Sequence, residues 1–338
     1  MSGGTDSSVA AILLQQQGYE LIGITFQFWE EAQNQDLHDA QELCKQLGIQ
    51  HFTYDARALF KEKIVGYFVA EYLAGRTPFP CVKCNKELKW KLLIDEADRL
   101  GCPKVAMGHY VQIEKENEHY FISQGVDLDK DQSFFLWGLT QQQLARIVFP
   151  LGGFYKTDVR KIAAEHGFRK VSEKKDSLGA CFCQGDYRPF LKSQLSKPDD
   201  LIYAGNFVDE IGNVLGKHNG YAMYTVGQRR GLIHLNRKVF VKEIKAHTNE
   251  VVLASLSEMY KTEFTIHSLN VVDKTIFGSE NNIYCRIRYR KQNTACRVLF
   301  LSENRAQVLL NEPLESIAPG QSAVFYLNNK VLGGGFIE

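Results

Sequence analysis

Apolar positions in the first part of the chain alternate between the spacing of helices and the short continuous runs of buried strands. Residues 9–14 begin a helix that Gly18 ends. The pattern then predicts these elements: strands over 19–26, 50–54 and 104–107, and helices over 36–47, 57–74 and about 85–100. Strands that alternate with helices form an α/β layer with a parallel sheet, and ligands bind at the carboxyl ends of its strands.

Strands dominate from about residue 201 onward. Residues 205–211 and 212–215 read as one hairpin, and residues 239–243 and 250–254 as another. From about residue 263 to the end, strands spaced by turns predict a small barrel or sandwich. We therefore divide the chain into an α/β domain over 1–188, a small β-rich domain over 189–255 and a β-barrel over 256–338.

Composition changes this picture little. The chain has 338 residues, of which 44% are hydrophobic and 23% charged, as in ordinary soluble proteins. No apolar run approaches the roughly 18–20 residues of a membrane helix, and no signal peptide is visible. We therefore expect a cytoplasmic protein without membrane contact. The net charge is +1, so binding of nucleic acid would need a local basic patch.

The first candidate site is the glycine-serine turn over residues 1–8. Gly3 and Gly4 let the backbone approach an anion closely, and the following helix directs its free N–H groups at the same place. Asp6 could cap that helix or face a metal-bound phosphate; an ordinary helix cap is the alternative interpretation. Such a loop normally follows a buried strand. Because the chain starts on the loop itself, we expect that the assigned start is too late and that a core strand is missing.

Eight cysteines in a chain of this class indicate metal or redox chemistry, not a disulfide framework. Cys44, Cys102, Cys285 and Cys296 occupy apolar contexts and are predicted to be buried small hydrophobes. The pairs 81/84 and 181/183 remain as candidate reactive thiols. Residues 75–85 hold two prolines and predict an ordered loop. Lys83 and Lys86 are predicted to lower the pKa of the neighbouring thiols.

Further candidates lie where ligands are expected. Phe26 and the Gly108-His109-Tyr110 turn follow predicted strands, so Phe26 could cover an adenine ring; a core aromatic is the alternative. In residues 284–291, strand alternation would put Arg286, Arg288 and Arg290 on one face. That row suits a phosphate backbone, or it is a solvated strand face.

Four separated motifs resemble the tRNA-specific 2-thiouridylase family of the PP-loop ATP pyrophosphatases. They are S-G-G-T-D-S-S at 2–8, G-R-T-P-F-P-C-V-K-C-N-K at 75–86, D-S-L-G-A-C-F at 176–182 and Y-T-V-G-Q-R-R-G at 224–231. Residues 108–110, 130–133, 288–290 and 319–326 also look like that family. The resemblance implies a PP-loop α/β domain, a central β-rich domain and a tRNA-binding barrel.

The resemblance also implies an activity. Mg²⁺ and ATP would adenylate the 2-carbonyl of the wobble uridine in tRNA, after which sulfur displaces AMP. The implied ATP-binding residues are Met1, Ser2, Gly3, Gly4, Thr5, Asp6, Ser7, Phe26 and Gly108. Cys181 would carry sulfur as a persulfide, and Cys84 would be the nucleophile that closes a transient disulfide with it.

Partners follow from the same resemblance. The family implies the anticodon stem-loops of lysine, glutamate and glutamine tRNAs, and a sulfur donor that is a relay protein or hydrosulfide. The implied tRNA-contacting residues are Phe79, Pro80, Cys81, His109, Lys130, Asp131, Gln132, Arg288, Tyr289 and Gln321. Arg288 and Tyr289 point oppositely on a regular strand, so both can touch RNA only at a bulge or strand end.

At position 81, three residues before Cys84, many members of the family carry Asp, whereas this chain has Cys. Cys81, Cys84 and Cys181 could together hold a 4Fe–4S cluster with one open iron for hydrosulfide. A plain persulfide relay, in which no metal takes part, is the alternative. Tetrahedral zinc on these three and Cys183 is a third interpretation.

Two rival functions remain at this point. A PP-loop ligase such as a lysidine or amide synthetase would use the same loop, but ligation needs no paired thiols. A tRNA-binding protein with a decayed active site is the second rival.

Overall fold

A computed structural model describes residues 1–29, 33–168, 179–183, 185–197, 202–278, 282–289 and 293–338, without the side chains of residues 33 and 34. The chain divides into two compact units. The first contains residues 1–64, 81–182 and 328–332, and the second contains residues 65–80, 183–327 and 333–338. Within the described residues, no helix combines the length and the apolar character needed to cross a membrane.

Short parallel strand pairs form the sheets of the first unit. Ile22–Gln27 pairs with Gln50–Asp55, with Ile24 opposite Phe52, and Val105–Ala106 pairs with Ile147–Val148. The described α-helices that lie wholly within this unit are Thr5–Gln16, Gln33–Gln46, Arg57–Phe60, Trp90–Arg99, Gln141–Leu144 and Lys156–Glu165, and a short 3₁₀ turn lies at Ser133–Phe135. The predicted α/β layer with parallel strands is confirmed.

The core of this unit gathers around its first helix. Residues 8–14 are all buried, because this helix is apolar on every side and not on one stripe alone. Val9, Ile12 and Leu13 pack in one cluster with Val159 and Ala163 of the Lys156–Glu165 helix. This packing brings the amino ends of two helices into the same unit core, next to the glycine-serine turn.

An antiparallel hairpin in the first unit was not predicted. Val111–Glu116 pairs with His119–Gln124, and Asn117 in the turn takes the left-handed conformation at φ 50°. Residues Lys330 and Val331 add a strand beside His119–Gln124. The Asn-Glu turn lacks the glycine that usually marks such hairpins, so the sequence signal was weak.

The predicted loop over residues 75–85 is wrong from Pro80 onward. Pro80–Cys84 is helical, and it continues through a π-helical turn, Asn85–Lys89, into the helix Trp90–Arg99. Proline is accepted in the first helical turn because its missing N–H has no partner there. The long helix expected over 57–74 is present as Arg57–Phe60, the π turn Lys61–Val65 and Gly66–Leu73.

The second unit contains a four-stranded sheet. Gly205–Val208 pairs antiparallel with Val214–His218, and Phe240–Lys245 with Glu250–Ala254, so both predicted hairpins are confirmed. Glu250–Ala254 also pairs parallel with Gly205–Val208, which joins the two hairpins. Tyr187–Ser193 is a helix of this unit, and short 3₁₀ turns occur at Tyr221–Met223, Ala246–Thr248, Leu256–Met259 and Lys274–Phe277.

Six strands close a barrel at the end of the chain. Their order is Tyr260–Val271, Arg305–Glu315, Thr294–Phe300, Tyr284–Arg286, Ser322–Leu327 and Lys330–Ile337. The last strand pairs back with the first, where Ile266 lies opposite Ile337 and Val271 opposite Gly333. Closure removes the exposed strand edges that an open sheet would present. The predicted C-terminal barrel is confirmed.

Gly333 lies where the barrel closes, and its backbone leaves no room for a side chain. Its φ is +144°, and a Cβ there would lie 2.2 Å from the Asn270 carbonyl oxygen. We predict that Gly333→Ala lowers the free energy of unfolding by more than about 2 kcal/mol, because the backbone contact must open. Gly278→Ala is the control, since its φ is −60° and its nearest neighbour would be 3.6 Å away. Urea unfolding would contradict this account if both variants lost equal stability.

Candidate functional site

The glycine-serine turn is a tight loop that its own hydroxyls hold closed. Gly3 has φ +65°, and a Cβ there would lie 2.1 Å from the Asp36 carbonyl oxygen, so only glycine fits. Gly4 is the extended N-cap of the helix Thr5–Gln16. The Ser2 N–H donates to Ser7 Oγ at 3.2 Å, and Ser7 Oγ donates to the Gly4 carbonyl at 3.1 Å. The helix amino end therefore directs its first N–H groups toward this loop.

The two ends of the loop are fixed differently. Thr5 is buried, whereas Ser2 is exposed. Met1 lies beside the strand Ile22–Gln27, where its amino group donates to the Ile24 carbonyl and its carbonyl accepts from Thr25 Oγ1 at 2.8 Å.

The Gly108-His109-Tyr110 turn packs directly against this loop. A Cβ on Gly108 would lie 2.7 Å from the Asp6 carbonyl carbon, so glycine permits the contact. The Tyr110 hydroxyl donates to Asp6 Oδ1 at 2.7 Å. Lys156, at the start of its helix, donates to both Asp6 carboxylate oxygens at 2.7 and 2.9 Å. The loop and the Gly108 turn therefore share one rim, as the parallel strands predicted; Lys156 was not predicted.

Phe26 lies near the carboxyl end of its strand and is half-buried. Its ring centroid is 5.8 Å from those of Phe28 and Tyr54. Phe26 thus belongs to an aromatic cluster at the strand ends. Whether it also covers a nucleotide base stays a prediction.

The three candidate thiols lie in one neighbourhood of the first unit. Burial raises the pKa of Cys81 to about 11 and also raises the pKa of Cys84 and of Cys181. The thiols of Cys84 and Cys181 add to the rise at Cys81, so the three lie within range of one another's charge. The Cys181 residue is exposed, but the protein atoms around its sulfur still remove enough water to raise its pKa.

The expected cause of thiol activation is wrong. Lys83 forms an ion pair with Glu87 at 2.6 Å, and Lys86 lies over the Trp137 ring at 4.8 Å. The cation that opposes burial at all three thiols is Lys89, whose backbone N–H also donates to the Cys84 sulfur. Burial outweighs this charge, so the thiol pKa values are raised and not lowered.

The π-helical turn explains why Lys89 was missed. In a regular α-helix, residues three and four apart face each other, so position 89 would turn away from Cys84. The π turn Asn85–Lys89 adds a residue to the turn and brings position i+5 back to the thiol. No feature of the sequence marked this turn.

His109 packs within an aromatic pocket. Its ring centroid is 5.7 Å from that of Trp90 and 5.9 Å from that of Phe149. Burial, with a smaller contribution from Lys89, lowers the pKa of His109 to about 3. Its Nδ1 atom is buried and has no hydrogen-bond partner among the described residues. The neutral form of His109 is therefore favoured near pH 7.

The Lys130-Asp131-Gln132 segment is tied into the fold. Asp131 is buried, and its carboxylate accepts from Ser133 Oγ at 2.8 Å and from the Ser133 and Gly125 N–H groups. Gln132 Oε1 accepts from the Tyr110 N–H at 3.1 Å. These bonds position the segment, so a tRNA contact from the Asp131 carboxylate would require breaking a buried network.

In the second unit, Gln321 holds the segment that precedes the helix Pro80–Cys84. Its side-chain N–H groups donate to the Thr77 and Pro78 carbonyls at 3.0 and 3.1 Å. The Thr77 N–H donates to the Pro319 carbonyl at 2.8 Å. Phe79, half-buried, and buried Pro80 follow directly, so the barrel turn sets the course of the predicted target-base segment.

The predicted row of arginines on one strand face is wrong. The strand ends at Arg286, whose Nε donates to Asn293 and whose guanidinium lies over the Tyr326 ring at 4.6 Å. Arg288 donates to the Ser316 carbonyl at 3.0 Å. Arg288 and Tyr289 both follow the strand end, which removes the geometric conflict between them. Arg290 lies outside the described residues, as do residues 176–178 of the third motif.

Cys44, Cys285 and Cys296 are buried as predicted, and Cys102 is half-buried. Across the described ranges, no group of three or more His, Cys, Asp or Glu side chains is placed to hold a metal ion. Cys81, Cys84 and Cys181 are all described and do not form such a group in this structure, so a 4Fe–4S cluster on them stays a prediction. Tetrahedral zinc on these thiols and Cys183 likewise stays a prediction.

These features define the class of protein. Residues 1–185 match the family model described as a tRNA methyl transferase HUP domain. This match agrees with the parallel strands and with the glycine-serine loop at a helix amino end. Residues 189–255 match the tRNA methyl transferase PRC-barrel domain, and residues 261–337 match the aminomethyltransferase beta-barrel domain.

Individual relatives narrow the class. The chain is 51% identical to tRNA-specific 2-thiouridylase MnmA 2 of Phocaeicola vulgatus over all of this chain and 96% of the relative. It is 49% identical to MnmA 1 of Bacteroides fragilis, with 100% and 95% covered, and 41% identical to MnmA of Cytophaga hutchinsonii, with 100% and 96% covered. The chain belongs to the tRNA-specific 2-thiouridylase family.

Lys89 provides a direct test of the thiol site. We predict that Lys89→Met raises the pH midpoint for alkylation of Cys84 by roughly one unit, because a nearby cation favours the thiolate. Iodoacetamide labelling across pH, read by mass spectrometry, measures the midpoint. Lys83→Met is the matched control, since Glu87 already pairs with that ammonium. An unchanged midpoint in Lys89→Met would remove Lys89 from the site.

Proposed function

We propose that this chain is a tRNA-uridine 2-sulfurtransferase that uses ATP to convert the wobble uridine to 2-thiouridine, with AMP and pyrophosphate as by-products. One observation carries the proposal. The first unit contains both a glycine-serine loop at a helix amino end, which suits an anion, and three neighbouring thiols. A ligase would have no use for the thiols, and a binding protein would need neither.

The loop supplies the activation step. The N–H groups at residues 3–7 and the helix amino end bind the ATP phosphates. The 2-carbonyl oxygen of uridine attacks the α-phosphorus and pyrophosphate leaves, which gives an adenylated base. Mg²⁺ in such sites is held by one or two carboxylates together with substrate phosphates, and Asp6 is the carboxylate within the loop.

The thiols supply the sulfur. Cys181 carries a persulfide, whose outer sulfur attacks carbon 2 of the activated uridine while AMP leaves. Cys84 then attacks the Cys181 sulfur, which frees the thiolated base and closes a Cys84–Cys181 disulfide. An external thiol reductant must open this disulfide before the next turnover. Because Cys181 is exposed, a donor can reload it, whereas Cys84 is buried beside it.

Recognition of tRNA draws on residues of both units. In the first unit, neutral His109 and half-buried Lys130 present a ring and a cation. In the second, Phe79, Arg288 and Tyr289 offer aromatic and guanidinium groups, which suit stacking and phosphate contact. The identities of the tRNAs, the sulfur donor and the cytoplasmic location stay predictions.

Nucleoside analysis tests the sulfur step. With ATP, Mg²⁺, a persulfide donor and a tRNA that carries the wobble uridine, wild type should form 2-thiouridine. We predict that Cys84→Ser and Cys181→Ser each lose more than about 99% of this product, because a hydroxyl neither carries nor accepts sulfur at this site. Both should retain tRNA-dependent pyrophosphate release.

Cys102→Ser is the matched control, since this thiol is half-buried and takes no part in the proposed chemistry. Full thiolation by Cys84→Ser would contradict the relay. Absence of pyrophosphate release from wild type with tRNA would favour a binding protein instead.

Metal analysis separates the relay from the cluster. We expect anaerobically purified protein to be colourless and active with far less than stoichiometric iron and acid-labile sulfide, because the described thiols do not form a metal-holding group. A brown protein with broad absorption near roughly 400 nm, whose activity follows its iron content, would contradict the relay.

A further inference from the structure

Lys156 is a buried cation that the proposed sulfur chemistry does not use. Its residue is 8% exposed, and its Nζ contacts both carboxylate oxygens of Asp6 in the glycine-serine loop, at 2.7 and 2.9 Å. The same ammonium lies 5.4 Å from the centre of the Tyr110 ring. A buried ammonium is costly unless anions compensate it, so its place beside an anion-binding loop calls for an explanation.

The surrounding contacts hold Lys156 in that place. Its backbone N–H donates to Asp127 Oδ2 at 2.9 Å, which anchors the start of its helix. The Tyr110 hydroxyl binds the same Asp6 oxygen at 2.7 Å, and Gly108 packs on the Asp6 backbone. The Lys156 backbone is therefore fixed at the start of its helix, and a flexible four-carbon stem carries the ammonium to the loop.

We propose that Lys156 is a phosphate-binding residue of the ATP site, which Asp6 neutralises until the β- and γ-phosphates of the nucleotide arrive. A pyrophosphate group carries more negative charge than one carboxylate, so it competes for the same ammonium. Because Asp6 lies in the loop itself, Nζ already contacts the loop, and its flexible four-carbon stem lets it exchange the carboxylate for a phosphate there. This inference rests on the proposed function, and it adds a residue from a distant part of the chain to the nucleotide site.

Binding measurements without tRNA or sulfur test this inference. Lys156→Met should weaken binding of ATP and of free pyrophosphate by roughly tenfold or more, as expected for loss of a charged hydrogen bond. AMP lacks the two outer phosphates, so its affinity should change by less than about twofold. Lys156→Arg should recover part of the ATP affinity. Isothermal titration calorimetry with each nucleotide gives these numbers.

Lys161→Met is the matched control, because this lysine lies on the same helix with its side chain 73% exposed. If Lys156→Met does not fold, as judged by thermal unfolding, Lys156→Gln keeps a donor for Asp6 and serves instead. Equal losses for ATP and AMP would mean a structural role and overturn the inference, as would unchanged ATP affinity. Wild type that binds no ATP at all would count against the proposed function itself.

Discussion

The contact between Gly108 and the Asp6 backbone constrains the rest of the first unit. It leaves no room for a Cβ, so the strand end, the loop and the first helix must lie in fixed register. Asp6 then binds Tyr110 from that strand end and Lys156 from a helix about 150 residues away in the chain. One carboxylate thus ties three separate segments to the loop. A site built on such a network is preorganised, which is how enzymes reduce the cost of binding a reactive group in one geometry.

Burial of the thiols has two consequences for the proposed chemistry. It raises the pKa values of Cys81, Cys84 and Cys181, which disfavours their thiolate forms at rest. In the proposed reaction, burial around Cys84 would also limit hydrolysis of an adenylated base beside it. Lys89 partly offsets the first effect without admitting water. The three thiols are therefore mainly protonated at rest, although Lys89 already favours their thiolate forms.

The sequence predicted the fold classes well, because they depend on periodicity. The alternating helices and strands, the two hairpins and the terminal barrel all follow from apolar spacing. The glycine-serine loop and its contact with Gly108 were also accessible, since parallel strands end on one rim. The helix that begins at Pro80 was missed because the two prolines argue against a helix, although proline is accepted in a first helical turn. Lys89 and Lys156 could not be found, because a π turn and a long-range ion pair leave no local pattern.

The predicted tRNA-contacting positions show a different limit of sequence reasoning. Gln321 is one of these predicted positions, yet its amide Nε2 already donates to the Thr77 and Pro78 carbonyls. In this conformation only its amide oxygen or its backbone could meet RNA. A residue of this kind can be indispensable for function while touching no substrate, because it positions the segment that does. Its type and place in a motif are the same in either case, so only the hydrogen bonds distinguish a contact residue from a positioning one.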